Sequence, residues 1–377
     1  MGSLVAVDGG RSRCRAAVIG VDGRPCPVVE GPGLPPGLGP AMVEGIVENL
    51  AATVTSAVVA AAAARHEVGQ VETVSAGLAG LLGTRDVAPA IAARLHERLG
   101  VSRVTLCGDV VAAHAGALPD PDGGVVLVAG TGAVAFGAIP VKIPENGEHA
   151  GPAGRGAVGP GGHGPGGMGV GGAGPGGGIW TFDSAVACVD GWGHLLGDTG
   201  SGFWIGRRGL DAALRAHDGR TGGSPVLARL VERDVGPLDR LPELAARAGA
   251  GPVAAIASFS AQVAEAAAAG DDVARHIWRK AATHLADSAV ACARRLNPSS
   301  STPISLSWLG GLFAAPDALL LEPFLARIRA TYPAADLMPP AGDALAGAAR
   351  LATPGARGAL AGLVFDSSSS RPAPVTA

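Results

Sequence analysis

The chain has 377 residues, more than one hydrophobic core usually organises, so its length predicts two domains. Hydrophobic residues make up 47% of the sequence and charged residues 16%, a balance that is typical of a folded globular protein and argues against a disordered one. The net charge of −3, without any run rich in Lys or Arg, argues against a nucleic acid or an anionic membrane as partner.

The cysteines and the N-terminal segment indicate a cytoplasmic protein. The five cysteines lie far apart and form no C-x-x-C pair, so reduced thiols are expected instead of a disulfide framework or a zinc site. The N-terminus runs directly into a strand-like segment, without a basic region and an apolar leader. The Ala-rich stretch 50–64 is too short and too weakly hydrophobic to predict a membrane span.

Strand and helix patterns alternate along residues 1–110. Segments 4–10 and 14–20 each predict a strand, and the glycines between them predict a hairpin. Helices are predicted at 41–66 and 85–98, and apolar strands at 71–80 and 103–109. This alternation predicts an α/β layer fold.

A second β unit begins near residue 125, where 125–139 predicts two strands around a Gly-Thr-Gly turn. Another strand, at 305–313, runs into a pair of glycines. Helices are predicted at 203–217, 252–268, 271–295 and 342–352. Glycine supplies 16 of the 28 residues at 151–178, so this stretch cannot offset its ordering entropy by burying side chains, and a flexible hairpin-tip insertion is expected.

The two halves predict two lobes. The first is expected at 1–114, and the second at 115–341 with a Gly-rich insertion at 141–178. A final helix at about 342–364 would pack back on the first lobe, and residues 366–377 are expected to form a loose tail. Because each half opens with a hairpin that carries a glycine turn, the lobes are expected to enclose a ligand-binding cleft.

The first glycine turn has the chemistry of phosphate binding. It consists of Asp8, Gly9, Gly10, Arg11 and Ser12. Glycines at such a turn let backbone N–H groups approach an anion, and an Asp just before them can hold Mg²⁺ directly or through water. The arginine would add positive charge near the phosphates. Taken alone, the motif is more typical of an ordinary hairpin turn.

The second glycine turn places Thr131 between Gly130 and Gly132. The Thr hydroxyl and the glycine N–H groups could contact a β- or γ-phosphate. A simple β-turn explains this motif equally well when it is considered alone. Near the C-terminus, Gly310 and Gly311 follow a strand, and a glycine pair there would let an adenine or ribose lie against the backbone.

Asp109 lies at the end of the predicted strand 103–109. The carboxyl ends of strands in α/β sheets face the ligand crevice, so this carboxylate could take the proton of a hydroxyl that attacks phosphorus. An Asp here also suits the N-cap of a helix at 110–116. The two roles are compatible.

The stretch 190–206 is the most informative part of the sequence. Its candidate ligand-binding residues are Asp190, Trp192, Gly193, His194, Asp198 and Thr199. Carboxylates bind sugar hydroxyls and a Trp ring can face a pyranose, whereas a purely structural loop rarely needs two acids, a His and two Trp among so many glycines. For His194 alone, an orienting or packing role is favoured over catalysis. The stretch therefore predicts a sugar site.

Taken in order, these motifs resemble those of the actin/hexokinase/Hsp70 superfamily. Residues 8–12 resemble its first phosphate motif, 130–134 its second and 310–313 its adenosine motif. Within the superfamily, the stretch GWGHLLGDTGSGFWIG at 191–206 is similar to that of the N-acetylglucosamine kinase branch, which is also called the BadF/BadG/BcrA/BcrD ATPase family. The similarity extends from residue 4 to about residue 352.

The resemblance implies two ribonuclease H-like α/β lobes with an interlobe cleft that binds ATP and Mg²⁺. It implies that Asp109 is the catalytic base, that Asp8 binds Mg²⁺ and phosphate, and that Thr131 contacts phosphate. Trp192 and Asp198, with the intervening glycine at 193, would fall in the sugar-binding loop. A monomer or a homodimer is expected.

Two departures from the family pattern bear on the sugar. The family usually has an acid after Asp198, where this chain has Thr199, and its N-acetylglucosamine kinases often have Gly in place of Asp190. A carboxylate favours a protonated 2-amino group, and a charge-assisted hydrogen bond contributes roughly 1.5–3 kcal/mol. The departures therefore predict D-glucosamine as the substrate, converted to glucosamine 6-phosphate, with N-acetylglucosamine as the alternative.

Two functions compete with that of an ATP:hexosamine 6-phosphotransferase, namely an ATPase that activates a partner enzyme and a non-catalytic sugar sensor. An ATPase that activates a partner enzyme through an iron–sulfur cluster would need Cys ligands at an interface, and none of the cysteines lies in a ligand motif. A non-catalytic sugar sensor ranks last, because Asp109 is present and no helix-turn-helix pattern precedes residue 4. The sequence favours the kinase.

Overall fold

The computed structural model describes residues 2–20, 25–35, 37, 39–66, 68–118, 123–140, 184–247, 251–297 and 303–369. The predicted Gly-rich insertion at 141–178 lies outside these residues, as does the predicted tail from residue 370 onward. The described strands form two separate mixed sheets.

The strands are, in chain order, β1 (Ser3–Gly9), β2 (Arg13–Ile19), β3 (Val29–Pro32), β4 (Val71–Leu78), β5 (Arg103–Gly108), β6 (Gly124–Ala129), β7 (Ala133–Pro140), β8 (Ser184–Asp190), β9 (Ile304–Leu309), β10 (Ala335–Leu337) and β11 (Phe365–Ser368). The α-helices are α1 (Val43–Ala63), α2 (Ala88–Leu99), α3 (Asp109–Ala117), α4 (Gly202–His217), α5 (Pro225–Asp234), α6 (Leu241–Arg247), α7 (Pro252–Ser258), α8 (Ser260–Ala268), α9 (Asp272–Leu296), α10 (Leu321–Thr331) and α11 (Ala344–Leu351).

The two sheets share one topological plan. The first has the order β11-β5-β4-β1-β2-β3, and the second the order β10-β9-β6-β7-β8. In each, three consecutive strands pair antiparallel (β1-β2-β3 and β6-β7-β8), and the first strand of that set also pairs parallel with a later strand. This repeat confirms the predicted α/β fold of two similar lobes, whereas the boundaries at residues 114 and 341 stay a prediction.

Successive side chains of a strand point to opposite faces of the sheet, and apolar side chains are buried on both faces of each sheet. In β1, Val5 and Val7 pack against α1 and α2, whereas Ala6 points to the opposite side. In β7, Ala135 packs with α9 and Phe136 points to the opposite side. These opposite faces meet in one apolar cluster between the sheets, which we call the interlobe cluster. It consists of Ala6, Ala17, Cys107, Val110, Val111, Ala112, Ala115, Ala117, Val126, Phe136, Ala138, Leu345, Ala348, Leu351, Ala359, Leu360, Leu363 and Val364.

Helices α3 and α11 cross within the interlobe cluster with their backbones in contact. A Cβ atom at Gly116 would overlap the carbonyl oxygen of Asp343, and one at Gly347 would overlap that of Ala112. Only glycine permits this approach. Since α3 leads from the first sheet to the second and α11 returns to the first, this contact joins the two lobes.

Helix α1 confirms the helix predicted at 41–66, but its apolar character is greater than expected. Residues Pro40–Ala63 are long and apolar enough to cross a membrane by length and composition, with a mean hydropathy of 1.6. One side of the helix is nevertheless packed in the first lobe, where Ile46 and Leu50 are completely buried against the sheet. We interpret α1 as a core helix, because its buried side chains belong to the main cluster of this lobe.

Two predictions about the C-terminal half were wrong in detail. The helix predicted at 252–268 is two helices, α7 and α8, because the chain makes a tight turn at Phe259 that buries this side chain in the core. The helix predicted at 342–352 is confirmed as α11, but its predicted continuation to about 364 is wrong, because two short 3₁₀ helices follow it, at Pro354–Ala356 and Gly358–Leu363.

The predicted tail at 366–377 begins too early, because β11 is part of the first sheet. It pairs antiparallel with β5, from Phe365 opposite Leu106 to Ser368 opposite Arg103. The buried Arg357 donates two hydrogen bonds to the carboxylate of Asp366, at 2.7 and 2.9 Å. This bidentate ion pair fastens the strand to the preceding turn.

Candidate functional site

The predicted residues of the first lobe lie along one edge of its sheet. Strands β1, β4 and β5 are parallel, and Asp8 is in register with Gly77, which in turn is in register with Cys107. Asp109 follows β5 directly. Since neighbouring strands are about 4.8 Å apart, the backbones of Asp8 and Cys107 are separated by about 10 Å, and Asp109 lies two residues beyond Cys107.

Asp8 is held by an arginine that the sequence analysis did not single out. Arg15 lies opposite Asp8 in the hairpin, and its Nε and one terminal nitrogen donate to Oδ2 of Asp8 at 3.1 and 2.8 Å. The other terminal nitrogen of Arg15 contacts Oδ2 of Asp343 at 2.9 Å. Asp343 caps α11 by accepting the N–H of Ala346 at 3.0 Å. The first glycine turn is thereby linked to the helix that joins the lobes.

Asp109 is the first residue of α3, whereas the N-cap is Gly108, so the predicted N-cap lies one residue earlier than expected. Its Oδ1 accepts the backbone N–H of Val110 at 2.9 Å. Burial raises the pKa of Asp109 to about 6, with the negative charge of Asp8 adding to this effect. The Val110 hydrogen bond and the positive charge of Arg11 oppose the rise. A carboxylate with this pKa is ionised at neutral pH and still basic enough to accept a proton.

The other residues of the first turn differ in exposure. Gly10 donates its N–H to the carbonyl of Arg13 at 3.0 Å, which closes the turn between β1 and β2. Arg11 and Ser12 are exposed at its tip. The charge of Arg11 lowers the pKa of Asp109 and so opposes the effect of burial.

The second glycine turn is tied to the N-terminus of α4. Gly202 donates its N–H to the carbonyl of Gly130 at 2.8 Å, and Phe203 donates to the carbonyl of Thr131 at 3.1 Å. Gly130 also donates to the carbonyl of Gly132 at 2.8 Å. These bonds fix the turn at the carboxyl end of β6 and leave the Thr131 hydroxyl outside the backbone pairing.

Gly310 lies beside this second turn. Strands β6 and β9 are parallel, with Val128 opposite Leu309, so the glycines that follow each strand come to the same edge of the sheet. Gly310 has φ +110°, and a Cβ atom there would overlap the carbonyl oxygen of Ala129. Gly311 has no atom within 4 Å of the place where a Cβ would stand, so its backbone faces open space.

The loop at 191–200 begins at the same edge, because Asp190 at the end of β8 pairs with Val134 in β7. The carboxylate of Asp190 accepts two backbone N–H groups, that of Asp198 at Oδ1 (2.7 Å) and that of Thr199 at Oδ2 (3.0 Å). The loop therefore folds back on its own first residue.

Asp198 connects this loop to the second glycine turn. Its carboxylate lies against Gly132 and accepts backbone N–H groups of Ala133 and Gly193. Burial raises the pKa of Asp198, and the charge of Asp190 adds to this, whereas the two N–H groups and His194 act in the opposite direction. The loop that predicts a sugar site and the turn that predicts a phosphate site are thus one connected structure.

The aromatic residues of the loop have different surroundings. Trp192 is 52% exposed, which leaves its ring free to contact a ligand. His194 packs edge-on against Phe203 with ring centroids 5.0 Å apart, which agrees with the predicted packing role. Leu195 and Leu196 are more than 80% exposed at the tip of the loop.

Carboxylates from both lobes act on the same thiol. Burial raises the pKa of Cys188 in β8 to about 11, and the charges of Asp109 and Asp190 contribute to the rise. Asp109 belongs to the first lobe and Asp190 to the second. Within the first sheet, Asp109 and the first turn lie at one edge, and within the second sheet the second turn, the loop and the glycine pair lie at one edge. That these two edges form a single ligand-binding cleft stays a prediction.

Two lobes that repeat one sheet plan, each with a glycine turn at the carboxyl end of its first strand, have an actin/hexokinase-like fold. The chain belongs to the BadF/BadG/BcrA/BcrD ATPase family, whose profile matches residues 153–347, just over half of the chain. No curated protein sequence matches the chain.

Solved structures show the same fold at low identity. A candidate N-acetylglucosamine kinase from Chromobacterium violaceum is 24% identical, with 94% of this chain and 99% of that chain covered and a TM-score of 0.64. A second candidate N-acetylglucosamine kinase, from Porphyromonas gingivalis, is 16% identical, with 93% and 97% covered and a TM-score of 0.59. A ROK-family glucokinase from Streptomyces griseus, solved with glucose and AMPPNP, is 19% identical, with 93% and 99% covered and a TM-score of 0.52. At these identities the likeness establishes the fold and not the substrate.

Proposed function

We propose that this protein is an ATP-dependent kinase that transfers the γ-phosphoryl group of ATP to the 6-hydroxyl of an amino sugar. The observation that carries the proposal is Asp109, a carboxylate with a pKa of about 6 at the sheet edge where the first glycine turn also lies. An acceptor hydroxyl needs a base of this kind, and a nucleotide needs glycine turns to approach its phosphates.

Family membership supports ATP as the phosphoryl donor. The chain belongs to an ATPase family, and the structurally similar Streptomyces griseus glucokinase was solved with the ATP analogue AMPPNP. The backbone at Gly130–Gly132 and Gly9–Gly10 would hold the phosphates, and the open backbone face at Gly311 would receive the adenosine. These assignments follow the motifs, and binding measurements on glycine variants can test each of them.

In the proposed reaction the sugar 6-oxygen attacks the γ-phosphorus, and the bond from this phosphorus to the oxygen that bridges to the β-phosphate breaks. The proton of the 6-hydroxyl goes to the Asp109 carboxylate, and ADP leaves with the bridging oxygen. Positioning and charge stabilisation supply most of the rate in phosphoryl transfer, so the lobes must hold donor and acceptor in line. Asp109 is fixed for this role because the Val110 N–H holds one of its two oxygens.

Mg²⁺ fits the first glycine turn only together with the nucleotide. Among the described residues, no group of three or more His, Cys, Asp and Glu side chains could hold a metal by itself. Both bonds from Arg15 go to Oδ2 of Asp8, so Asp8 would hold Mg²⁺ through Oδ1, with phosphate oxygens completing the shell. The ion would neutralise charge on the β- and γ-phosphates.

We place N-acetylglucosamine first among the acceptors and glucosamine second. Two structurally similar proteins are candidate N-acetylglucosamine kinases, which supports the acetylated sugar. Glucosamine is favoured only by the negative charge of Asp190, and this carboxylate already accepts two backbone N–H groups. An ammonium group would therefore compete with bonds that the loop makes to itself.

The decisive experiment measures ADP release from ATP and Mg²⁺ with a panel of sugars. The panel contains N-acetylglucosamine, glucosamine, N-acetylmannosamine and glucose, and a reaction without sugar gives the background ATPase rate. Phosphorus NMR of the product would locate the phosphate on the 6-oxygen. Sugar-independent ATPase activity with no phosphorylated sugar would refute the kinase proposal and favour an ATPase function.

A further inference from the structure

We propose that Asp190 is a positioning residue that holds the sugar loop closed, and that it does not contact the amino group of the sugar. The proposal rests on the kinase function proposed above and refines it. Selectivity between amino and acetamido sugars would then come from other groups, whereas the Asp190 carboxylate would determine the geometry of the loop.

The Asp190 carboxylate accepts two hydrogen bonds from the far end of the loop, and we call this pair of bonds the clasp. Its two oxygens accept two consecutive backbone N–H groups, of Asp198 and Thr199, at 2.7 and 3.0 Å. A charged acceptor strengthens both bonds. The clasp joins the first residue of the loop to its eighth and ninth following residues, so the intervening segment forms a closed ring.

The backbone is strained where the clasp forms. Asp190 has φ +61° and Asp198 has φ +56°, and among the described residues only one other non-glycine residue, Arg65, has a positive φ. A left-handed conformation is costly for a residue with a Cβ atom, although Asp tolerates it better than most. Such strain persists when surrounding bonds determine the conformation, which here is the role of the two N–H bonds.

The clasp has a specific effect on the residues beyond it. Asp198 places its carboxylate against Gly132 and accepts the N–H of Ala133, while its own N–H is held by Asp190. Loss of the clasp would release Asp198 from the second glycine turn and Trp192 from its place in the loop. The acceptor site would then lose its shape, whereas the contacts of Gly311 would not change.

The clasp also limits what Asp190 can do for the substrate. A sugar ammonium could bond to these oxygens only by competing with two N–H donors that are already at hydrogen-bond distance. The N–H of an acetamido group would meet the same competition. We therefore expect loss of Asp190 to affect both sugars to the same degree.

Three substitutions separate the carboxylate from the backbone strain. Asp190→Gly removes the clasp and relieves the strain, because glycine adopts a positive φ readily. Asp190→Ala removes the clasp and retains the strain, and Asp190→Asn retains a single acceptor oxygen and tolerates the left-handed conformation. Asp271→Asn is the matched control, because Asp271 also accepts a backbone N–H (that of Ala274 at 2.8 Å), but at the start of α9 and outside the loop.

Steady-state kinetics with both sugars tests the proposal. We expect the Gly variant to raise the KM of N-acetylglucosamine and of glucosamine alike, by about tenfold to a hundredfold for the loss of two charge-assisted bonds, with the KM of ATP nearly unchanged. The Asn variant should fall between wild type and the Gly variant, and the control should match wild type. A selective loss of glucosamine turnover, with N-acetylglucosamine kinetics intact, would overturn the proposal and assign Asp190 to the amine.

Hydrogen exchange of the full-length protein tests the clasp without relying on catalysis. In the Gly variant, the backbone amides of Asp198 and Thr199 should exchange faster than in wild type, while helix α9 keeps its protection. Unchanged exchange at both amides would refute the clasp. If wild type phosphorylates no sugar but the exchange result holds, the kinase proposal fails and the clasp stands.

Discussion

Replacing Asp109 by Asn removes the negative charge of the proposed base and keeps the oxygen that accepts the Val110 N–H at 2.9 Å. An amide cannot take the proton of the sugar hydroxyl. We therefore expect kcat to fall by roughly 10²- to 10⁴-fold, the usual contribution of a positioned general base. The KM values should change little, because the side chain keeps its size and its bond to the helix.

The same substitution should stabilise the fold at neutral pH. Folding raises the pKa of Asp109 from 3.8 to about 6, mainly through burial, which corresponds to about 3 kcal/mol of stability lost when the carboxylate is ionised. Between these two values the folded state keeps a proton that the unfolded state has released, so wild-type stability falls as the pH rises. Asn carries no charge, so the advantage of the variant should be small at pH 4 and nearly complete at pH 8.

Chemical denaturation at both pH values measures this advantage, and the coupled ADP assay measures kcat. Asp366→Asn is a control of opposite sign: although burial acts to raise it, hydrogen bonds from Arg357 and Thr105 lower the pKa of Asp366. That variant should lose stability at pH 8 and keep its kcat. Near-normal turnover of the Asp109 variant would remove Asp109 from the role of base. A stability difference that is equal at pH 4 and pH 8 would refute the raised pKa.

Three further predictions concern the rest of the site. The logarithm of kcat/KM should fall with unit slope below about pH 6, where the catalytic carboxylate becomes protonated, and the basic side should be flat near neutrality. Gly310→Ala should destabilise the protein by about 3 kcal/mol or more in denaturant titrations, because φ at this position is +110° and the new Cβ atom has no room. Gly311→Ala should leave the stability within about 0.5 kcal/mol of wild type, because this position is open. It should raise the KM of ATP if adenosine lies there. Arg15→Lys should raise the KM of ATP by about tenfold, because an ammonium cannot make the two-nitrogen contact with the phosphate turn, and Arg13→Lys, at an exposed ion pair on the same strand, should leave it unchanged.

Local sequence patterns predicted most helices and strands of the fold. Elements whose structure depends on residues far away in the chain could not be predicted from such patterns. The two hairpins and helix α1 follow from alternation and helical spacing within short windows. Strand β11 could not be predicted in this way, because its Ser-rich sequence is typical of a turn and its partner β5 lies about 260 residues earlier in the chain.

The positions of the site residues were predictable, and their bonds were not. Glycine turns and strand ends indicated where Asp8, Thr131 and Asp109 would lie. The contact of Arg15 with Asp8 depends on the register of the hairpin, and this register could not be read from the sequence. Asp190 was predicted to face the sugar. Its bonds to the loop arise from left-handed backbone angles that an Asp pattern alone does not reveal, and its role in substrate binding stays a prediction.

The crossing of α3 and α11 restricts how the two lobes can move. No side chain separates the helices at Gly116 and Gly347, so pulling the helices apart would expose main-chain groups and buried alanines without any compensating contact. A rotation about this point would keep the backbones in contact, so we expect any relative motion of the lobes to pivot here. Asp109 begins one of these helices and the Arg15 contact reaches the start of the other, so the proposed base and the proposed phosphate turn are both attached to this helix pair.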